Sequence, residues 1–189
     1  MKLSHLYALT ILTPASAFAG LVDITAPELL RLTISPNTVD VTSGEQIVDV
    51  TFEFSDNLSG LDFIYLDVNT PSGTYIDTAF AYPDTWSDHL ISGDTLGGVL
   101  ETSFTIPQYS ESGDYTYSVY LEDKNNNYSY LGYDDLVSMG FGDQLSVTST
   151  IADTTPPELL GLTISPNVVD VSSGEQIVDV TFEFSDNLS

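Results

Sequence analysis

The sequence predicts an all-β fold, built as a two-sheet sandwich, on three observations. Hydrophobic and polar residues alternate at a period of two in several separate runs, as strands with one buried face do. Clusters of Gly, Pro, Ser and Asn divide those runs. No apolar stripe of helical period lasts longer than two turns. A jelly roll or another β arrangement satisfies the same pattern and stays open at this level.

Taken in chain order, Leu30, Leu32 and Ile34 open the unit, ahead of a turn at Ser35-Pro36-Asn37. Over 46–55, Val48, Val50, Phe52 and Phe54 face one way while Asp49, Thr51 and Glu53 face the other. Residues 61–68 form a strand with Ile64, Leu66 and Val68 inward, and 99–106 place Leu100, Phe104 and Ile106 together. Tyr115, Tyr117, Val119 and Leu121 share the next face, and 144–151 offer Leu145, Val147 and Ile151. Turns are predicted at Ser43-Gly44, 57–60, Pro71-Ser72-Gly73, Gly97-Gly98 and Ser112-Gly113. Six or seven strands result. The lone Trp86 falls in a polar stretch between them, and the chain has no Cys, so no disulfide braces the sheets.

Two features organise the chain. Residues 1–19 read as a secretory signal peptide: Lys2 and His5, an apolar run from Leu6 to Leu12, then Ala17-Phe18-Ala19 as a small-x-small cleavage site. The run is too short to span a membrane. Residues 23–59 then recur at 153–189 with five of 37 positions changed, an offset of 130 that matches a whole domain. The expected organisation is one sandwich over 20–152, followed by a linker and the first strands of a second copy over 153–189. The chain is expected to be a fragment of a longer tandem array.

Charge removes several functions. The net charge is −25, with 28 acidic residues against three Lys and Arg. After signal cleavage only Arg31 and Lys124 oppose the 28 acidic residues, a net −26. Such a chain has no footprint for nucleic acid or anionic lipid. Yet 42% of residues are hydrophobic, too many for an acidic disordered tail. Beyond the signal, His89 is the only histidine, and no Gly-x-Ser-x-Gly elbow or phosphate-cradling loop is present. With so many carboxylates, some pair meets glycosidase spacing by chance, so the chain is expected not to be an enzyme.

One order of motifs is informative. The Ser-Asp-Asn-Leu-Ser-Gly of 55–60, the Pro-Ser-Gly turn at 71–73, the Ser-Gly-Asp-Tyr-Thr-Tyr-Ser-Val of 112–119 and Glu-Asp-Lys-Asn-Asn-Asn at 122–127 follow one another, and Asp-Thr-Thr-Pro-Pro at 153–157 marks the boundary to the next copy. This order resembles the immunoglobulin-like, cadherin-like tandem repeats of bacterial secreted and surface proteins. The resemblance implies an immunoglobulin-like Greek-key β-sandwich. It also implies an extracellular role as an adhesin stalk or an accessory module of an exoenzyme. Family members often read Asp-x-x-Gly-Asn after the penultimate strand; here Asp123-Lys124-Asn125-Asn126-Asn127 lacks the Gly.

In that topology the N-terminus, the second-to-third strand loop and the last hairpin meet at one pole. The candidate metal ligands there are Asp23, Asp56, Asn57, Asp123, Asn125 and Asn127, with Asp134, Asp135, Asp88 and Asp94 as further neighbours. Calcium suits such a set, because it takes six to eight oxygens from carboxylates, amides and carbonyls in flexible loops. Asp153 repeats Asp23 and is a candidate for a shared site with Asp186 and the Glu175 or 110–113 loops, where an ion would stiffen the joint. The alternative is a solvated acidic face screened by salt. Tyr128, Tyr130 and Tyr133 lie in a long final loop beside amides and carboxylates. They are candidates for contact with a glycan or a cell-surface protein, or they fold back over the open end with Leu131, Leu136, Met139 and Phe141. Neighbouring repeats of the same chain are the remaining expected partners.

Overall fold

Two strands that share one sequence pattern show how the fold assembles. In the computed structural model, which describes residues 21–82, 86–142 and 145–188, β1 (Glu28–Ser35) pairs antiparallel with β3 (Gln46–Ser55). The alternation of 46–55 places Val48, Val50, Phe52 and Phe54 in the core and their neighbours outward. The secretory signal assigned to 1–19 lies outside the described residues.

Between these strands, β2 (Thr38–Asp40) leaves for the opposite sheet. The remainder comprises β4 (Leu61–Asn69), β5 (Tyr75–Ala81), the short helix α1 (Trp86–His89), β6 (Leu90–Asp94), β7 (Gly97–Ile106) and β8 (Gly113–Asp123). Then follow β9 (Tyr128–Leu131), the six-residue helix α2 (Tyr133–Ser138) and β10 (Leu145–Thr148). One sheet has the order β1-β3-β7-β6; the other runs β2-β10-β8-β4-β5, with β9 also on β8. The chain crosses between sheets at β3–β4, β5–β6 and β7–β8, and β2 lies parallel to β10. This is an immunoglobulin-like Greek-key sandwich, and the order excludes the jelly roll.

The core between the sheets follows the alternation. Ile64, Leu66 and Val68 from β4, Leu100, Phe104 and Ile106 from β7, and Tyr115, Tyr117, Val119 and Leu121 from β8 are all buried. Both buried tyrosines direct their hydroxyls to backbone carbonyls, Tyr115 to Glu111 at 2.8 Å and Tyr117 to Phe141 at 3.0 Å. That removes the penalty of an unpaired buried hydroxyl.

Several expectations need correction. A register shift between Leu29 and Arg31 turns Leu29 inward and leaves Leu30 exposed. Such a bulge inverts the alternation that period-two reading assumes. Ile151 lies past the end of β10 and is exposed. Gly97-Gly98 is inside β7 rather than a turn; the hairpin tip falls between Asp94 and Gly97. The unit has ten strands among the described residues, because β2, β5, β6 and β9 are too short or too near an edge to show a clean alternation in the sequence. The long final loop is instead a strand and a helix. β9 pairs with Val119–Glu122, and β10 pairs with Gly113–Tyr115, so the last strand is split by an excursion that seats Leu136 in the core.

The repeated segment forms β11 (Glu158–Ser165) and β12 (Asp179–Ser185), paired in the register of β1 and β3 at an offset of 130: Leu162 faces Phe182 as Leu32 faces Phe52. Even the bulge recurs, between Leu159 and Gly161. The register is therefore encoded locally, by the turn and the alternation. Burial is not. Phe52 is 0% exposed and Phe182 60% exposed, because β11 and β12 have no second sheet against them among the described residues.

Candidate metal centre

The crossing from β3 to β4 and the turn from β8 to β9 bring acidic loops to one pole. Asp23 precedes β1, Asp56 follows β3 and Asp123 ends β8. One carboxylate oxygen from each lies within 4.8 Å of the other two. Asp23 and Asp123 are buried and Asp56 is half-buried.

Each carboxylate also organises backbone. Asp23 Oδ1 accepts the Thr25 N–H at 3.0 Å, and its Oδ2 accepts the Ser59 N–H at 2.7 Å, tying the N-terminal segment to the β3–β4 loop. Asp56 Oδ1 accepts the N–H groups of Leu58 (3.0 Å) and Gly60 (2.6 Å). Asp123 Oδ1 accepts those of Asn125 and Asn127, both at 2.8 Å, and its Oδ2 accepts Asn127 Nδ2 at 2.7 Å. These are Asx-type turns, in which a short side chain replaces the backbone acceptor. Gly60 joins two of the loops: its N–H goes to Asp56 and its carbonyl accepts the Lys124 N–H at 3.0 Å. It needs to be glycine, since φ is +84° and a Cβ would meet Thr95 Oγ1 at 2.5 Å.

One buried carboxylate atom is left over: Asp56 Oδ2 has no hydrogen-bond partner, whereas the Ser59 hydroxyl favours the ionised Asp23 and Asp123 carboxyls. Among the described residues neither basic side chain is aimed at this oxygen: Lys124 Nζ donates to Thr95 Oγ1 at 3.3 Å, and Arg31 lies on β1 opposite Glu53. Buried anionic oxygen without a donor or cation is unfavourable, so the chemistry of this donor set fits a hard cation.

The Asp23 and Asp123 carboxyls are held below the ordinary 3.8. For Asp23 the Thr25 N–H is the main cause, and it outweighs burial. For Asp123 burial is the largest influence and acts upward, but the Asn127 side chain and the N–H groups of Asn127 and Asn125 together overcome it. A carboxyl whose folded pKa is depressed adds stability above its unfolded value and loses it as pH falls through the folded one. The urea midpoint is therefore expected to hold steady from pH 7 to about 5 and to fall as pH drops below the ordinary carboxyl range. An Asp123→Asn variant should show a shallower decline, and an equal decline would remove Asp123 as a source.

The remaining predicted ligands fall differently. Asn127 braces the cluster, its amide nitrogen donating to Asp123 and, at 3.3 Å, to the Asp23 carbonyl. Asn57 and Asn125 have exposed side chains. Asp135 accepts the Gly132 N–H at the start of α2, Asp94 accepts the Leu96 N–H in the β6–β7 turn, and Asp88 is exposed on α1; Asp134 is exposed on α2. Asp153 lies in the linker and accepts the Thr155 N–H at 3.0 Å, as Asp23 accepts that of Thr25. It shares an open cleft of about 840 Å³ with Asp186, Ser110 and Glu111, and Glu175 is not among the residues lining it. Tyr133 folds inward, edge-on to Tyr117 at 5.3 Å, whereas Tyr128 and Tyr130 are exposed. Sequence reasoning did not single out Ser59 or Gly60, although both stand in the Ser-Asp-Asn-Leu-Ser-Gly motif.

No family model matches this chain, and no curated protein matches it. Among solved structures, 28 chains match. The C-terminal domain of wzt is 17% identical, with a TM-score of 0.43, covering 69% of this chain and 78% of that one. A DUF4466 family protein from Parabacteroides merdae is 12% identical with a TM-score of 0.31, covering 55% and 43%. Murine CRIg is 14% identical with a TM-score of 0.28, covering 56% and 91%.

Proposed function

We propose that this chain is a non-catalytic extracellular repeat module, a calcium-stiffened stalk or spacer of a bacterial adhesin or surface protein, of the cadherin-like tandem kind. The observation that carries the calcium reading is the meeting of Asp23, Asp56 and Asp123 around the unpartnered Asp56 Oδ2. Bound Ca²⁺ would take carboxylate oxygens from these three residues. It would neutralise charges that the chain's own basic side chains do not, and it would join the N-terminal segment to the two loops beside it. The near-identical repeat supports the spacer reading, since equal units in series give length. Asp153 and Asp186 reproduce the Asp23 and Asp56 turns, with the Leu188 N–H on Asp186 at 3.1 Å. The same first half of a site thus recurs with the repeat.

Thermal melting tests this reading. Extracellular calcium modules bind at roughly 10⁻⁴–10⁻³ M, so 10 mM Ca²⁺ at fixed ionic strength is expected to add about 1.4–2.7 kcal/mol. That corresponds to a rise of about 5–10 °C in Tm. Mg²⁺ is expected to do less, because it demands tighter octahedral geometry. An unchanged Tm in calcium would overturn the proposal.

A further inference from the structure

The outer face of the β5-β4-β8-β9 sheet carries an aromatic array that the stalk reading does not use. Phe80 pairs with Tyr65, Tyr65 with Tyr120, and Tyr120 with Tyr130, so four rings stand in one row across four strands. A second, parallel row carries Tyr82, Phe63 and Tyr128, with Glu122 between the last two. The central rings lie near-parallel, whereas Tyr82 is tilted by 40° to Phe63 and by 52° to Phe80. Tyr65 and Tyr120 are 5.2 Å apart with planes 10° from parallel, Phe63 and Tyr120 5.6 Å and 15°, Tyr120 and Tyr128 5.5 Å and 14°. Phe80, Tyr82, Tyr128 and Tyr130 are exposed, the last two by 62% and 61%. The split of the last strand is what completes the array, since only the β8–β9 pairing brings Tyr128 and Tyr130 onto this face.

Cross-strand aromatic pairs stabilise a sheet, but that does not require the rings at both ends of the row to remain in water. An exposed aromatic patch of this extent marks a binding surface. We propose that this face binds an uncharged polysaccharide, lying across the strands along the rows of rings. The charge of the face selects the ligand class. Its charged groups between and beside the rings are Asp67 and Glu122, which accept the hydroxyls of Thr78 and Tyr120 and face Ser118 and Phe63 across the strands. Neither Arg31 nor Lys124 lies on it: Arg31 is in the opposite sheet, and Lys124 bonds Thr95. A polyanion is repelled by this surface and by a net charge of −25. A pyranose chain offers apolar C–H faces to the rings and many hydroxyl donors to carboxylate and phenol oxygens, and its length matches a row rather than a pocket. Binding per sugar is weak on an open face, and tandem copies would supply avidity. This inference goes beyond the stalk reading and does not depend on calcium.

Affinity electrophoresis of the chain through gels containing hydroxyethylcellulose, galactomannan or dextran tests it, with alginate as the anionic control and calcium held constant. Retardation by at least one neutral polymer and none by alginate is expected. The double variant Tyr128→Ala, Tyr130→Ala, whose side chains are mostly in water, should raise the apparent Kd about tenfold. Its melting temperature should fall by no more than a few degrees, the share owed to the lost pairings with Tyr120, and Tyr133→Phe should bind as the parent does. The proposal is overturned if no neutral polymer retards the chain, if alginate retards it equally, or if the double variant binds normally. It is also overturned if the parent self-associates in sedimentation and the double variant does not, with glycan retardation unaltered; the face would then be a protein interface.

Discussion

Phe52→Ala is expected to destabilise the sandwich by about 3–5 kcal/mol, and Phe182→Ala to change it by less than about 0.5 kcal/mol. The two residues occupy the same place in a repeated sequence and the same place in a repeated register. Their surroundings differ. Phe52 is enclosed between the two sheets with Leu32, Leu66 and Leu121 in the same core, so truncation removes apolar burial and leaves a cavity. Phe182 is largely in solvent and loses little. Urea unfolding monitored by near-ultraviolet circular dichroism reads the first unit through its buried tyrosines. Equal effects of the two substitutions would contradict the packing described for β11 and β12.

The second large effect concerns Asp123→Ala. The substitution removes the acceptor of the Asn125 and Asn127 N–H groups at once and leaves the Asn127 amide only its bond to the Asp23 carbonyl. Each buried donor left unsatisfied costs about 1–3 kcal/mol, and partial hydration of the turn recovers some of that. A loss of about 2–4 kcal/mol is expected even without calcium. Asp123→Asn separates the structural role from the ionic one. Its carbonyl oxygen can still accept the two backbone N–H groups, while its amide opposes that of Asn127 and carries no charge. Melting should therefore place Asn between Asp and Ala in calcium-free buffer, and both variants should lose the calcium response. A full calcium response in Asp123→Asn would remove this residue from the site.

The parts of the fold that were legible in the sequence are those where a strand is long and buried on one face only. Val48 to Phe54 and Tyr115 to Leu121 are such runs, and alternation suffices for them. Leu30 and Ile151 were misplaced because a bulge and a strand end are set by pairing, which alternation does not report. β9 and α2 were hidden for a related reason: a four-residue strand and a six-residue helix carry too few residues to establish a period. The pole was legible because Greek-key topology dictates which loops meet, and that brought Asp23, Asp56 and Asp123 together from positions 33 and 67 residues apart. The asparagines were not resolvable in the same way, since whether an amide faces a site with oxygen or nitrogen depends on its neighbours. The aromatic face escaped notice because its rows run across strands, where no sequence window places Phe80, Tyr65, Tyr120 and Tyr130 side by side.

Isothermal titration of Ca²⁺ into the chain and into its Asp56→Asn variant tests the metal reading most directly. Asp56 Oδ1 makes the two loop hydrogen bonds, which an asparagine carbonyl can keep, and Oδ2 is the atom left without a partner. The predicted result is saturable binding by the parent with a Kd of roughly 10⁻⁴–10⁻³ M, and no measurable binding by a variant that melts normally in the absence of the ion. No saturable heat from the parent, or undiminished binding by Asp56→Asn, would contradict the account.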